Sequence, residues 1–137
     1  MGRLLAVDYG LKRSGIAVTD PLKLIASPLN MVPTSELMDF IGQYLAAEEV
    51  ECIIVGKPLD LFQNETHSTK KVFGFVEALK RHFPQMRVEW HDERFTSKMA
   101  QRALISGGMR KTQRREKGNI DKVSAAIILQ SYMEANP

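Results

Sequence analysis

Asp8, the adjacent pair Asp92 and Glu93, and Asp121 are the acidic side chains whose placement in this 137-residue chain points to chemistry. Asp8 closes the apolar run Leu4-Leu5-Ala6-Val7, Asp92-Glu93 follows Val88 to His91, and Asp121 opens a long apolar stretch. Asp is a poor strand residue, so its place between Val7 and Tyr9 runs against local propensity, and such a conflict is a reason to look for function. Carboxylates brought together repel unless a cation neutralises them, and an all-oxygen donor set suits Mg²⁺ or Mn²⁺. A pair of such ions can activate water and stabilise the leaving oxygen in phosphodiester hydrolysis.

Each acid also has a plain structural role open to it. Asp8 could form a side-chain turn ahead of Gly10, Asp121 could complement a helix dipole from the first turn, and Asp92-Glu93 could be a solvated strand end. Neighbouring strand residues point to opposite faces, so at most one of Asp92 and Glu93 can share a site with Asp8. The choice between them stays open on this argument.

A second signal is basic. Between Met109 and Asn119 stand Arg110, Lys111, Arg114, Arg115 and Lys117, opposed by Glu116 alone, a net +4 inside a chain whose formal charge is +3. Beside an acidic centre such a loop would hold flanking phosphates of a nucleic acid, with Gly107-Gly108 as its hinge.

The elements that must position these groups follow from periodicity. The chain opens with a strand ending at Asp8, turns through Tyr9 to Gly15, and continues as a strand over Ile16–Thr19. A third extended segment spans Leu24–Val32, where Pro28 favours a sheet edge or a bulge. Leu37, Phe40, Ile41, Tyr44 and Leu45 recur at helical steps, which predicts a helix from Glu36 to about Glu49 with Thr34 or Ser35 as cap. Cys52–Val55 is continuously apolar, as in a strand covered on both faces. A helix carrying Val72, Phe73, Val76 and Leu79, a strand over Arg87–His91, a helix capped by Thr96 or Ser97, and a last helix from about Ile120 to Glu134 complete a mixed α/β layer pattern. In the last helix Asp121 falls in the first turn, with small Ser124 and Ala125 beside it allowing close approach to the sheet.

Length and composition imply one domain over residues 1–137 with a real core, 44% of the residues being hydrophobic. One cysteine, Cys52, excludes an intrachain disulfide. It reads as a buried apolar residue. No run approaches membrane-spanning length and no leader peptide is evident, so a cytoplasmic protein without membrane contact is expected. His67, His82 and His91 are too scattered for a zinc site, although His91 beside the acidic strand end could assist proton transfer.

Several segments, in order and across the whole chain, resemble the YqgF family, also called RuvX. They are Asp8-Tyr9-Gly10 with Arg13, Gly15 and Asp20, then Val55-Gly56-Lys57-Pro58-Leu59, Asp92-Glu93-Arg94-Phe95-Thr96-Ser97, and Lys122 to Ala126 after Asp121. The chain departs from the family where an Asn and later a Gly usually follow; here the loop reads Asp60-Leu61-Phe62-Gln63-Asn64.

The resemblance implies a ribonuclease H-like fold, a five-stranded mixed sheet with its first three strands antiparallel and helices on both faces. It implies a nuclease that processes the 5′ end of the 16S ribosomal RNA precursor, and the chemistry of the carboxylates adds Mg²⁺ or Mn²⁺, as two ions, as the expected cofactor. It selects Glu93 over Asp92 and makes Asp8, Glu93 and Asp121 the catalytic, metal-binding set. Arg13, Arg94, Arg110, Lys111, Arg114 and Arg115 are the expected phosphate contacts, on electrostatic grounds. The partner would be ribosomal RNA precursor or a DNA junction, and the chain a monomer or weak dimer. Two other readings are a Holliday junction resolvase and a nucleic-acid-binding ribosome-assembly factor without turnover. Asp8-x-Gly10 with Gly15 also resembles a phosphate motif of actin-like kinases, but those enzymes close two such lobes on a nucleotide and this chain has the length of one.

Overall fold

A computed structural model describes residues 2–57, 67–92 and 117–136. The elements within them are β1 (Arg3–Asp8), β2 (Arg13–Thr19), β3 (Ala26–Pro33), α1 (Leu37–Ala47), β4 (Val50–Lys57), α2 (His67–His82), β5 (Arg87–Asp92) and α3 (Lys117–Ala135). The helix expected near Thr96 to Leu104, the loop at 58–66 and the basic stretch to Glu116 lie outside the described residues.

The five strands form one sheet in the order β3-β2-β1-β4-β5. β1 to β3 are antiparallel neighbours, and β4 and β5 add parallel to β1. β3 carries Pro28 at the sheet edge, with a bulge opposite Ile16/Ala17, as a proline without a ladder donor requires. β4 is interior, and its residues Cys52–Gly56 are buried, which is why it reads as an unbroken apolar run.

Strand alternation sends successive side chains to two cores. Leu5, Val7, Ile16, Val18, Ile53 and Val55 face α1 and α2, packing with Leu37, Ile41, Val72, Val76 and Leu79. Leu4, Ala6, Ala17, Cys52 and Ile54 face α3, packing with Ala125, Ala126, Ile128 and Leu129. The sheet residues on this second face include two alanines and a cysteine, so α3 sits close to the sheet. Cys52 is fully buried, which pushes its thiol pKa up.

Two expectations are corrected here. Neither Thr34 nor Ser35 caps α1: Thr34–Glu36 forms a 3₁₀ turn, and Glu36 stands at the start of α1 with no side-chain cap bond. The Thr34 hydroxyl is engaged by the β1–β2 turn instead. The last helix begins at Lys117, so Asp121 stands one turn inside it and no acid occupies its first turn. The helix-dipole role for Asp121 loses its basis, because that effect fades within the first turn.

Candidate functional site

β1, β4 and β5 are parallel, so their carboxyl ends reach the same edge of the sheet. The register there is tight. Asp8 pairs with Gly15 of β2. Val7 pairs with Val55, which puts Gly56 beside Asp8 on the other side, and Gly56 pairs with His91. Gly15, Asp8, Gly56 and His91 thus form one row across four strands.

The row belongs to the α3 face. Leu4 and Ala6 face α3, so alternation turns Asp8 the same way. The opposite parity takes Val7 and Val55 to the α1/α2 core. Both sheet neighbours of Asp8 are glycines, so no side chain flanks its half-buried carboxylate within the row. At about 4.8 Å per strand, His91 lies roughly 10 Å away across Gly56. The row thus sets a carboxylate and an imidazole on one face of the sheet with a glycine between them, and carboxylate oxygens are the donors that a hard cation such as Mg²⁺ takes.

Helix α3 enters from this edge. Ser131 Oγ lies 2.8 Å from His91 Nε2 at the end of β5. One residue on, the Tyr132 hydroxyl donates to Glu89, and Asn136 shares a cleft with Leu4, Glu51 and Arg87 at the starts of β1, β4 and β5. α3 therefore runs opposite to the parallel strands, and its amino-terminal part, with Asp121, lies toward their carboxyl ends. Ser131 is 5% exposed, and a buried hydroxyl is tolerated because it has a partner. The hydrogen bond from Tyr132 holds the Glu89 carboxyl below its ordinary range, and burial, together with that bond, pushes the Tyr132 hydroxyl up to about 12.

Arg13, the first residue of β2, lies two residues from Gly15 and so on the Asp8 face, diagonal to the carboxylate. Its residue and Lys12 are exposed. Glu93, Arg94, Arg110, Lys111, Arg114 and Arg115 lie outside the described residues, as does the side chain of Asp121. Of the expected acidic set, the described side chains therefore supply Asp8, and among the described residues no group of three metal-ligating side chains occurs.

Ser14, to which sequence reasoning gave no role, and Thr34, which it expected as a helix cap, hold the turn after Asp8. Ser14, completely buried, accepts the Gly10 N–H at 3.2 Å, and the Thr34 hydroxyl donates to the Gly10 carbonyl at 2.7 Å. The two hydroxyls are 2.9 Å apart. A polar residue such as Ser14 directly before the apolar run of β2 was the available signal. Its partner, 20 positions away, was not.

A sequence profile described as "RuvX: Holliday junction resolvase" matches residues 2–135. The chain belongs to the RuvX family. Proteins similar to it include one from Bacteroides thetaiotaomicron, 48% identical over 135 residues that cover 98% of each chain. Another, from Amoebophilus asiaticus, is 47% identical over 98% of this chain and 96% of its own. A third, from Porphyromonas gingivalis, is 47% identical over 100% of this chain and 99% of its own. Each bears the name "Putative pre-16S rRNA nuclease".

Among solved structures, Thermus thermophilus RuvC in complex with a Holliday junction substrate superposes with a TM-score of 0.65 at 17% identity, over 99% of this chain and 97% of that one. Fowlpox virus resolvase with junction DNA gives 0.58 at 17% identity over 97% of both chains. These likenesses establish the fold: this RuvX chain has the ribonuclease H-like architecture of RuvC, with the mixed sheet order and two-sided helix cover described above.

Proposed function

We propose that this RuvX protein is a nuclease that hydrolyses phosphodiester bonds of structured RNA with the help of divalent metal, acting on the 5′ end of the 16S ribosomal RNA precursor. The observation that carries the reading is the position of Asp8. It ends the central β1 at the carboxyl edge, on the face that α3 covers, with Gly15 and Gly56 as its neighbours in the row. Its relatives' names supply the substrate class.

Asp8, Glu93 and Asp121 would hold Mg²⁺ or Mn²⁺, two ions in the full set. Even-numbered residues of β1 and odd-numbered residues of β5 face α3, which supports Glu93 over Asp92 as the partner of Asp8. The ions, when bound, lower the pKa of the attacking water and neutralise charge on the leaving oxygen. The chain's own groups do the rest. The carboxylates fix where the scissile phosphate sits, while Arg13, Arg94, Arg110, Lys111, Arg114 and Arg115 bind neighbouring phosphates and set the register of the strand. His91, tied to α3 through Ser131, stands two strands from Asp8 in the same row.

The protein is read as one domain, cytoplasmic, and a monomer or weak dimer in solution. Among the described residues no helix is long and apolar enough to cross a membrane. The family description, Holliday junction resolvase, supports a second reading in which the same site cuts four-way DNA.

The test is cleavage of a 5′ precursor fragment of 16S ribosomal RNA and of a four-way DNA junction, side by side, with Mg²⁺ or Mn²⁺. The expected result is cut RNA, an intact junction, and loss of cutting in Asp8→Asn. Preferential junction cutting would establish the resolvase. RNA binding without cleavage under any metal would leave a ribosome-assembly factor, and equal rates for wild type and Asp8→Asn would remove Asp8 from the mechanism.

A further inference from the structure

The turn that follows Asp8 is held far more firmly than its surface position needs. Over five residues its backbone takes a Thr34 hydroxyl on the Gly10 carbonyl at 2.7 Å, a Ser14 hydroxyl on the Gly10 N–H at 3.2 Å, and the Thr34 N–H on the Lys12 carbonyl at 2.9 Å. The hydroxyls of Ser14 and Thr34 tie these bonds together at 2.9 Å. Ser14 has no exposed surface, at a strand position where an apolar residue would pack without needing a partner. Gly10 is required as well: a Cβ there would lie 2.1 Å from the Arg13 carbonyl oxygen.

The side chains this turn carries, Leu11, Lys12 and Arg13, are all exposed. Among the described residues neither Lys12 nor Arg13 makes an ion pair, in contrast to Arg3, Lys23 and Arg87, which pair with Glu48, Glu51 and Glu89. Two unpaired cations are thus mounted on a rigid turn, and Arg13 lies diagonal to Asp8 on its own face.

We infer that the Ser14–Thr34 clasp is a positioning device that presents Lys12 and Arg13 as a preformed clamp for backbone phosphates next to the bond that Asp8 serves. This rests on the nucleic-acid reading above and adds Lys12, Ser14 and Thr34 to it. A cation on a fixed backbone loses less freedom on binding than one on a loose loop, so the clasp converts directly into affinity. A phosphate contact carries no base information, so the clamp sets the position of the strand and not its sequence.

The measurement is binding of a labelled 5′ precursor fragment of 16S ribosomal RNA, in EDTA so that no cleavage intrudes, across a range of salt. Removing both charges (Lys12→Ala with Arg13→Ala) is expected to weaken binding about tenfold and to lower the slope of log K against log salt by between about 1 and 2, as the loss of two phosphate contacts requires. Thr34→Val is expected to weaken binding about threefold to tenfold, Thr34→Ser to restore it, and Thr34→Val to cost little more once the two charges are gone. If Thr34→Val does not fold, Ser14→Ala replaces it with the same expectations. A folded clasp variant with wild-type affinity and salt slope, or one whose loss simply multiplies that of the charge variant, overturns the clamp and leaves the nuclease reading intact. Wild type that binds neither RNA nor junction DNA overturns that reading, and the clamp with it.

Discussion

Gly10→Ala is the perturbation that tests the architecture around Asp8 most directly. The new methyl carbon would sit 2.1 Å from the Arg13 carbonyl oxygen, where real contacts of this kind stay above 3.0 Å. The obstacle is backbone, and it cannot step aside cheaply. Arg13 is paired with Pro33 in the sheet, the Lys12 carbonyl is bonded to the Thr34 N–H, and Gly10 is itself held at both its N–H and its carbonyl. Relief of nearly an ångström therefore breaks at least one of these bonds. Overpacking in a well-built region costs about 1–3 kcal/mol and a lost hydrogen bond adds about 1, so a destabilisation of about 2–4 kcal/mol is expected. For a chain of this size each kcal/mol moves Tm by about 3 °C, giving a fall of about 6–12 °C. Thermal and urea unfolding measure it, with an unchanged urea slope showing that the unfolded state is not the cause. A Tm within 2 °C of wild type would refute the reasoning, since the turn would then be free to open where the structure has it clasped.

Gly74 is the counter-case: a Cβ there meets nothing within 4 Å on the exposed side of α2, so Gly74→Ala should stabilise by about 0.5–1 kcal/mol through helix propensity, and a lower Tm would contradict this. Glu89 gives a pH dependence. Its carboxyl pKa is depressed in the folded state, first by the Tyr132 hydrogen bond, so its stabilisation is present above the ordinary value of 4.5 and is lost as pH falls through the lower folded value. Tyr132→Phe should accordingly lower Tm at neutral pH and flatten the acid limb below about pH 4.5; parallel Tm–pH curves for the two proteins would exclude the coupling. Cys52, fully buried with its thiol pKa raised by that burial, should react with a thiol reagent only at the rate of opening, and rapid native labelling would contradict its burial.

Much of this was legible in the chain. Apolar runs bounded by turn residues marked the five strands, and apolar residues at three- and four-residue steps marked the described helices, to within a few residues, because burial leaves its trace on each residue locally. Pro28 announced the edge strand, and the unbroken apolar run at Cys52 announced an interior one. Asp8 stood out because an acid at that place contradicts its strand. The Thr34 expectation failed for a physical reason: a threonine ahead of a helix has the right chemistry for a cap, and only the approach of the β1–β2 turn gave its hydroxyl a different partner. The start of α3 at Lys117 was missed because a basic, glycine-containing run has no apolar period to mark it.

By itself, then, the sequence marked the described elements to within a few residues and the family, since each is written in local composition or in motifs of contiguous residues. Tertiary structure alone decided what lies beside what: the row Gly15–Asp8–Gly56–His91, the direction of α3, and the Ser14–Thr34 clasp that fixes the turn after Asp8. Most of those are relations between residues 20 or more positions apart, set by strand register and by which hydroxyl finds which partner. No single stretch of chain encodes a register, because it is a property of two strands at once.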